Sequence, residues 1–299
     1  MQFYFPDTPD LPLPAEHRFP RGKYRLLKDK LQGDGTLAGA SLLPSPVACL
    51  ADIRRAHTPD YVSAVLEGTL DATAQRRIGL PWSEVMALRA RMVVGGGLAA
   101  AHSALKDGLS GQLAGGTHPA HASFGSGFCV FNDLAVTVLA LQAERTLERI
   151  AIVDLDVHQG DGNAAILRGL PGVLVASMHG EKNFPFAKVA ADIDVALPDG
   201  TDDETYLAAL APVLEQVAAF RPELLLYLSG ADPLASDRLG RLDLTFQGLV
   251  ARDRQVFELA RRLGVPVSIT IGGGYADPIC DTVEVYANTF RAAREVLRL

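Results

Sequence analysis

The chain has 299 residues, 48% of them hydrophobic and 21% charged, which is enough apolar material for one large core. Its formal charge is −7 and it contains no long Lys/Arg block, which argues against direct nucleic acid binding or attraction to an anionic membrane and leaves room only for a small basic rim. Cys49, Cys129 and Cys280 are too scattered for a disulfide framework, the N-terminus lacks a signal-peptide pattern, and no run reaches the roughly 18 apolar residues of a membrane span. The expectation is a cytoplasmic protein in a reducing compartment.

In chain order, residues 1–25 are rich in Pro and aromatics and read as a covering arm on a single domain spanning 1–299. Residues 58–68 and 81–108 read as helical, with Pro81 suited to a helix start. Gly95, Gly96 and Gly97 read as close-packing positions, because no Lys-Ser/Thr follows to make a phosphate loop. Beyond them, short apolar runs alternate with long amphipathic ones. Strands are expected at 150–155, 172–177, 224–229 and 265–271, and helices at 131–145, 162–168, 203–219, 245–263 and 279–297. Arg252, Arg254, Arg261 and Arg262 suggest a wet helix face. The alternation predicts an α/β fold, a three-layer αβα sandwich with a mainly parallel sheet covered on both faces.

The strand ends carry polar groups. "IAIVDLDVH" ends in Asp156 and His158, "VLVASMH" in Ser177, Met178 and His179, "ELLLYLSGAD" in Asp232 and "VPVSITIGGGY" in Tyr275. Ligands of open α/β sheets sit outside the carboxyl ends of strands. Side chains two apart on a strand share a face, so Asp154, Asp156 and His158 line up if the strand extends that far. A lone buried carboxylate is costly, and a divalent cation offsets that cost. The competing reading is that these acids cap a helix or pair with an arginine. Three protein ligands with an open position are typical of catalytic zinc, which makes Asp156, His158 and Asp232 a candidate set, with Asp154 orienting a neighbour.

At this point the chain resembles the histone deacetylase family, in particular its class IV-like bacterial members. The resemblance rests on "HRFPRGKY" (17–24), "AHTPDYVSAV" (56–65), "IGLPWSE" (78–84), "LAGGTH" (113–118), "GSGFCVFND" (125–133), "DLDVHQGDGN" (154–163), "SGADPLASDRLG" (229–240) and "IGGGY" (271–275). It implies an arginase/deacetylase-like fold and zinc-dependent hydrolysis of an acyl-amine amide, in an acylated lysine of a protein or a small acylated amine. The implied zinc ligands are Asp156, His158 and Asp232, and the implied oxyanion donor is Tyr275. His118 begins the family's histidine pair, with Asp154 orienting the first ring and Asp161 matching the partner of the second. Phe128 and, more loosely, Phe184 match the walls of the acyl-lysine tunnel. A K⁺ site of the family maps to Asp154, Asp156, His158, Ser177 and Met178.

The departure lies in "GGTHPAHASFG", where Pro119 stands in place of the second histidine. Three readings follow: His118 does the proton work; His121 substitutes for the missing ring; or the chain is a catalytically impaired, zinc-containing acyl-amine binding protein. An arginase-like reading is disfavoured, since Gly160 and Leu234 break the DxHxD and DxDxxD patterns that a manganese pair needs.

Overall fold

Eight parallel strands form the centre of the computed structural model, which describes residues 1–145 and 147–298. The first half of the chain supplies β1 (Gln2–Phe5), α1 (Lys23–Gly33), β2 (Ser41–Pro44), α2 (Leu50–Ala56), α3 (Pro59–Glu67), α4 (Ala72–Ile78), α5 (Glu84–Asp107), β3 (Leu109–Gln112) and α6 (Asp133–Ala143). The second supplies β4 (Ile150–Asp154), α7 (Asp161–Leu167), β5 (Val173–Gly180), β6 (Ile193–Leu197), α8 (Asp203–Phe220), β7 (Leu224–Ser229), α9 (Phe246–Leu263), β8 (Val267–Ile271) and α10 (Ile279–Leu297). The strand order is β2-β1-β3-β8-β7-β4-β5-β6.

Every residue of β4, β7 and β8 is buried, as expected for parallel strands covered on both faces. Their alternate side chains feed two separate cores. Val153, Tyr227 and Ile269 pack with Tyr206, Phe257 and Phe290 from α8, α9 and α10. Ile152, Leu226 and Leu228 pack with Val94, Leu134 and Ala164 from α5, α6 and α7. This is the expected three-layer α/β sandwich. Its long helices carry their own boundaries: Ser83 accepts from Met86 N at the start of α5, Thr245 does the same for Gly248 N at α9, and Gly108 and Gly264 end them in left-handed geometry. Caps of this kind contribute about 1 kcal/mol each.

Two expectations change. The first residues of the anticipated arm form β1, hydrogen-bonded between β2 and β3, while Leu11, Arg18 and Phe19 after it line a cavity. Arg252 is fully buried, so α9 does not present it to water. Gly95 does serve close packing: a Cβ there would lie 2.1 Å from the Pro46 carbonyl oxygen.

Candidate metal centre and catalytic cavity

The carboxyl ends of β3, β4, β7 and β8 deliver the candidate residues. β4 stops at Asp154, so Asp156 and His158 are not strand neighbours on one face as the two-residue spacing suggests. They converge because the chain turns: His158 N donates to Asp156 Oδ1 at 2.9 Å, and Asp154 is left facing the β3 side instead. The loop after β7 brings Asp232, held by Val157 N at 2.9 Å from its Oδ1. The loop after β8 presses "GGG" onto the acids. Gly273 N donates to Asp156 Oδ2 at 2.5 Å, and a Cβ on Gly273 would lie 1.9 Å from Asp232 Oδ2. Only glycine permits that approach.

Asp156, His158 and Asp232 form a cluster whose ligand atoms lie within 4.8 Å of one another. His158 Nδ1 is 3.0 Å from both Asp156 Oδ1 and Asp232 Oδ2. Both carboxylates are fully buried. Burial works against charge on each, yet the His118 and His158 charges and the hydrogen bonds from His158 and Gly273 hold Asp156 well below the carboxylate range. Burial and the Asp156 charge push Asp232 up to about 7. Burial also opposes a charged His158, but its hydrogen bonds to the two acids raise it to about 10. A proton is thus drawn to the point between two acids where a divalent cation would resolve the same repulsion. Two carboxylates, one imidazole and a vacant side facing a cavity suit zinc chemically.

His118 follows β3. Its Nδ1 lies 2.7 Å from Asp154 Oδ2 and its Nε2 is 3.7 Å from Asp156 Oδ1. Burial opposes its protonation, but Asp154 and Asp156 raise it to about 9. Asp154 therefore lies against the Nδ1 side of the His118 ring. Asp161 Oδ2 pairs at 2.8 Å with His121 Nε2, while His121 stacks on Phe124 at 4.4 Å between ring centroids. Tyr275 N donates to Asp237 Oδ2 at 2.6 Å, and its ring meets His158 edge-on at 6.4 Å.

A cavity of about 640 Å³ unites these groups. Asp156, His158, His118, Tyr275, Phe128 and Phe184 all line it, as does Pro119. His121, Asp154, Asp161, Ser177, Met178 and Asp232 do not; Asp154 and Asp232 sit behind the lining, against His118 and His158. Ser177 and Met178 lie buried in β5, where Ser177 pairs in register with Asp154. His179 is buried beside Ser177 Oγ at 3.2 Å, and His57 accepts from Asn132 N at 2.8 Å; neither lines the cavity.

Three contributors escaped the sequence reading. Lys23 is buried, with its ammonium 5.1 Å from the centre of the Tyr275 ring and 3.3 Å from the Gly274 oxygen. Asp237 fixes the Tyr275 backbone. Arg252 binds the Gly230 oxygen at 2.7 Å, the Leu155 oxygen at 3.3 Å and Ser229 Oγ at 2.8 Å, tying together the two loops that carry the acids. Lys23 and Asp237 lie inside quoted motifs, whereas Arg252 had only its position on α9.

A profile of the family described as "Histone deacetylase domain" matches residues 17–290. A Picosynechococcus protein described as uncharacterised is 45% identical over 294 residues, 98% of this chain and 98% of that one. Histone deacetylase 2 of Arabidopsis thaliana is 28% identical over 90% of this chain and 73% of its own length. The histone deacetylase-like amidohydrolase of Pseudomonas aeruginosa is 29% identical over 96% of this chain and 81% of its own. The crystal structure of the HDA15 HD domain superposes with a TM-score of 0.81 at 22% identity, covering 99% of this chain and 88% of that one, which shows a shared fold. With a match that runs from His17 through the acid–histidine cluster to Tyr275 and on to Phe290, the chain belongs to the histone deacetylase family.

Proposed function

We propose that this chain hydrolyses the amide bond of an acylated amine, with zinc held by Asp156, His158 and Asp232. When bound, zinc would supply Lewis-acid polarisation of the acyl carbonyl and the attacking water. Only the neutral His118 ring, its Nδ1 fixed by Asp154, takes a proton from that water at Nε2; it then returns one to the amine nitrogen as the C–N bond breaks. Tyr275 donates a hydrogen bond from its hydroxyl to the negative charge that develops on the acyl carbonyl oxygen. Phe128 and Phe184 are the apolar walls that exclude water around the acyl-amine. A K⁺ ion at Asp154, Asp156, His158, Ser177 and Met178 belongs to the same reading, supported by the Asp154–Ser177 register. So do a class IV-like subgroup, a cytoplasmic location consistent with three free cysteines, and an acyl-lysine or small acylated amine as substrate.

One observation carries this reading: His118 and Tyr275 open onto the same cavity as Asp156 and His158. The test is metal analysis of purified protein, together with turnover of acetyl-lysine, long-acyl-lysine and acylpolyamine substrates. Bound zinc and amine release, lost in His118→Ala, support the proposal; a zinc-replete protein that cleaves none of them refutes it.

A second reading, a zinc-containing acyl-amine binder that turns over little, is favoured by Pro119. It lines the cavity where a second imidazole is expected, while His121 holds Asp161 outside that lining. Tight binding of an acyl-amine without amine release distinguishes it.

A further inference from the structure

The amide-hydrolase reading leaves the amine half of the substrate undefined, and the charge around the cavity bears on it. Seven of the chain's 28 Lys and Arg residues line this one cavity, against a single carboxylate, Asp156, which belongs to the metal cluster. That concentration runs against the overall charge of −7. Arg18, Arg76 and Arg77 are exposed as well as lining, so they stand at its mouth. Among the described residues none of the three forms an ion pair. Arg76 donates to Thr73 Oγ1 at 3.2 Å, and the Arg77 guanidinium lies 4.5 Å from the centre of the Phe124 ring. Asp71, at the start of their helix, is engaged as its cap by Thr73 N and Ala74 N at 2.8 Å each. Elsewhere on the rim, Lys182 and Arg241 share one partner, Asp199, at 3.8 and 3.0 Å, so two cations meet one anion.

An acyl carbonyl bound at the cluster leaves the groups flanking the amine at this mouth. Three unpaired guanidinium groups repel a cation there and attract an anion. Exposed charges act mainly on encounter and on discrimination between substrates.

Resting on the hydrolase reading, we propose that the amine half is anionic: an acyl-lysine flanked by acidic side chains, with acylated polyamines disfavoured by their positive charge. The recognition elements are Arg76 and Arg77 on α4, with Arg18 on the N-terminal segment lining the same cavity.

The experiment uses zinc-loaded full-length protein and three acyl-lysine peptides identical except for Glu, Gln or Lys at the flanking positions. Binding by fluorescence anisotropy and kcat/KM are measured at low and high salt, for the native protein and for an Arg76→Gln/Arg77→Gln variant. The Glu peptide should exceed the Lys peptide by about three- to tenfold at low salt, and high salt should compress the difference. The variant should keep its thermal stability and its zinc content while losing the preference for the Glu over the Lys peptide. Cleavage regardless of flank charge, or a preference unchanged in the variant, overturns the proposal and leaves the hydrolase reading standing. Charge-ordered binding with no cleavage supports the cationic mouth and its anionic substrate and overturns hydrolysis. Absence of binding by any peptide overturns the proposal of an anionic substrate at this mouth.

Discussion

Tyr275→Phe isolates one hydroxyl group. The Tyr275 ring is positioned from its backbone, through N to Asp237 Oδ2 at 2.6 Å and through the carbonyl oxygen accepting from Arg238 Nε at 3.1 Å. It is also held by its edge contact with His158 and by the Lys23 ammonium 5.1 Å from its centre. None of these uses the hydroxyl, so phenylalanine should occupy the same position with the fold unstrained. Burial, with Cys129 and other neighbours adding to it, raises the Tyr275 hydroxyl well above its usual range, so it remains a donor across any practical assay pH. A single donor aimed at a developing oxyanion contributes about 3–4 kcal/mol, which converts to a loss of roughly 10²- to 10³-fold in kcat. The assay is amine release under saturating substrate, with zinc content and thermal midpoint measured on the same preparation. The expected result is a collapse in kcat with zinc retained and the midpoint shifted by no more than about 2 °C. Activity within about threefold of the native protein would falsify the oxyanion role, since that corresponds to less than about 1 kcal/mol. A loss of zinc or a large fall in midpoint would instead refute the claim that the hydroxyl is free of structural duty.

Asp156→Asn should weaken zinc by well over tenfold and abolish the rise in thermal midpoint that added zinc gives the native protein, as read by thermal shift. Arg252→Met should cost about 3–5 kcal/mol in urea unfolding, because it leaves Asp253 buried opposite no cation and unties the loops bearing Asp156 and Asp232. Burial depresses His57 from 6.5 to about 4. The unfolded chain therefore takes up the proton first, so its contribution is complete above pH 6.5 and declines as pH falls toward 4. It amounts to at most about 3 kcal/mol, and His57→Gln should show a smaller loss of stability than the native protein over that window. Pro119→His alone should change kcat less than about twofold, because Asp161 already holds His121; combined with His121→Ala it should raise kcat about tenfold or more, by stopped assay on the same substrate.

The sequence was most legible where burial is complete. β4, β7 and β8 are unbroken apolar runs with both faces covered, and they were found within a residue or two. β1, β2 and β3 have four residues each, and β3 places Ser110 and Gln112 inside the protein, so no periodicity announced them. β6 is five residues long with exposed positions, another weak signal. Motifs pointed to Asp156, His158, Asp232, His118 and Tyr275, but the strand-face condition for Asp154 and Asp156 is not met, because the strand ends at Asp154. Arg252 was misread for a different reason. On a helix with three further arginines its charge suggests water, and only the converging carbonyl oxygens of Leu155 and Gly230 explain its burial. The direction of the His121 ring depends on tertiary packing against Phe124, which spacing does not encode.

The Pro119 substitution is confined to one half of the proton machinery. His118 is held independently of its neighbour: its carbonyl oxygen accepts from Asn163 N at 3.1 Å and Asn132 Nδ2 at 3.3 Å, and its ring from the other side by Asp154. A proline next in sequence restricts the His118 backbone toward extended geometry, and that restriction adds to this anchoring. Meanwhile His121 satisfies Asp161 Oδ2 from outside the cavity, so the acid is not left unpaired by the missing ring, though its Oδ1 is buried without a partner. The cavity thus keeps one oriented imidazole, one phenol and one acid–histidine–acid cluster. A single histidine that both accepts and returns a proton is sufficient in principle for amide hydrolysis, since the two transfers occur in sequence and leave the ring as it began. What the second ring ordinarily adds is rate, which makes kcat, and neither zinc affinity nor fold stability, the quantity in which Pro119 should register once His121 no longer occupies Asp161.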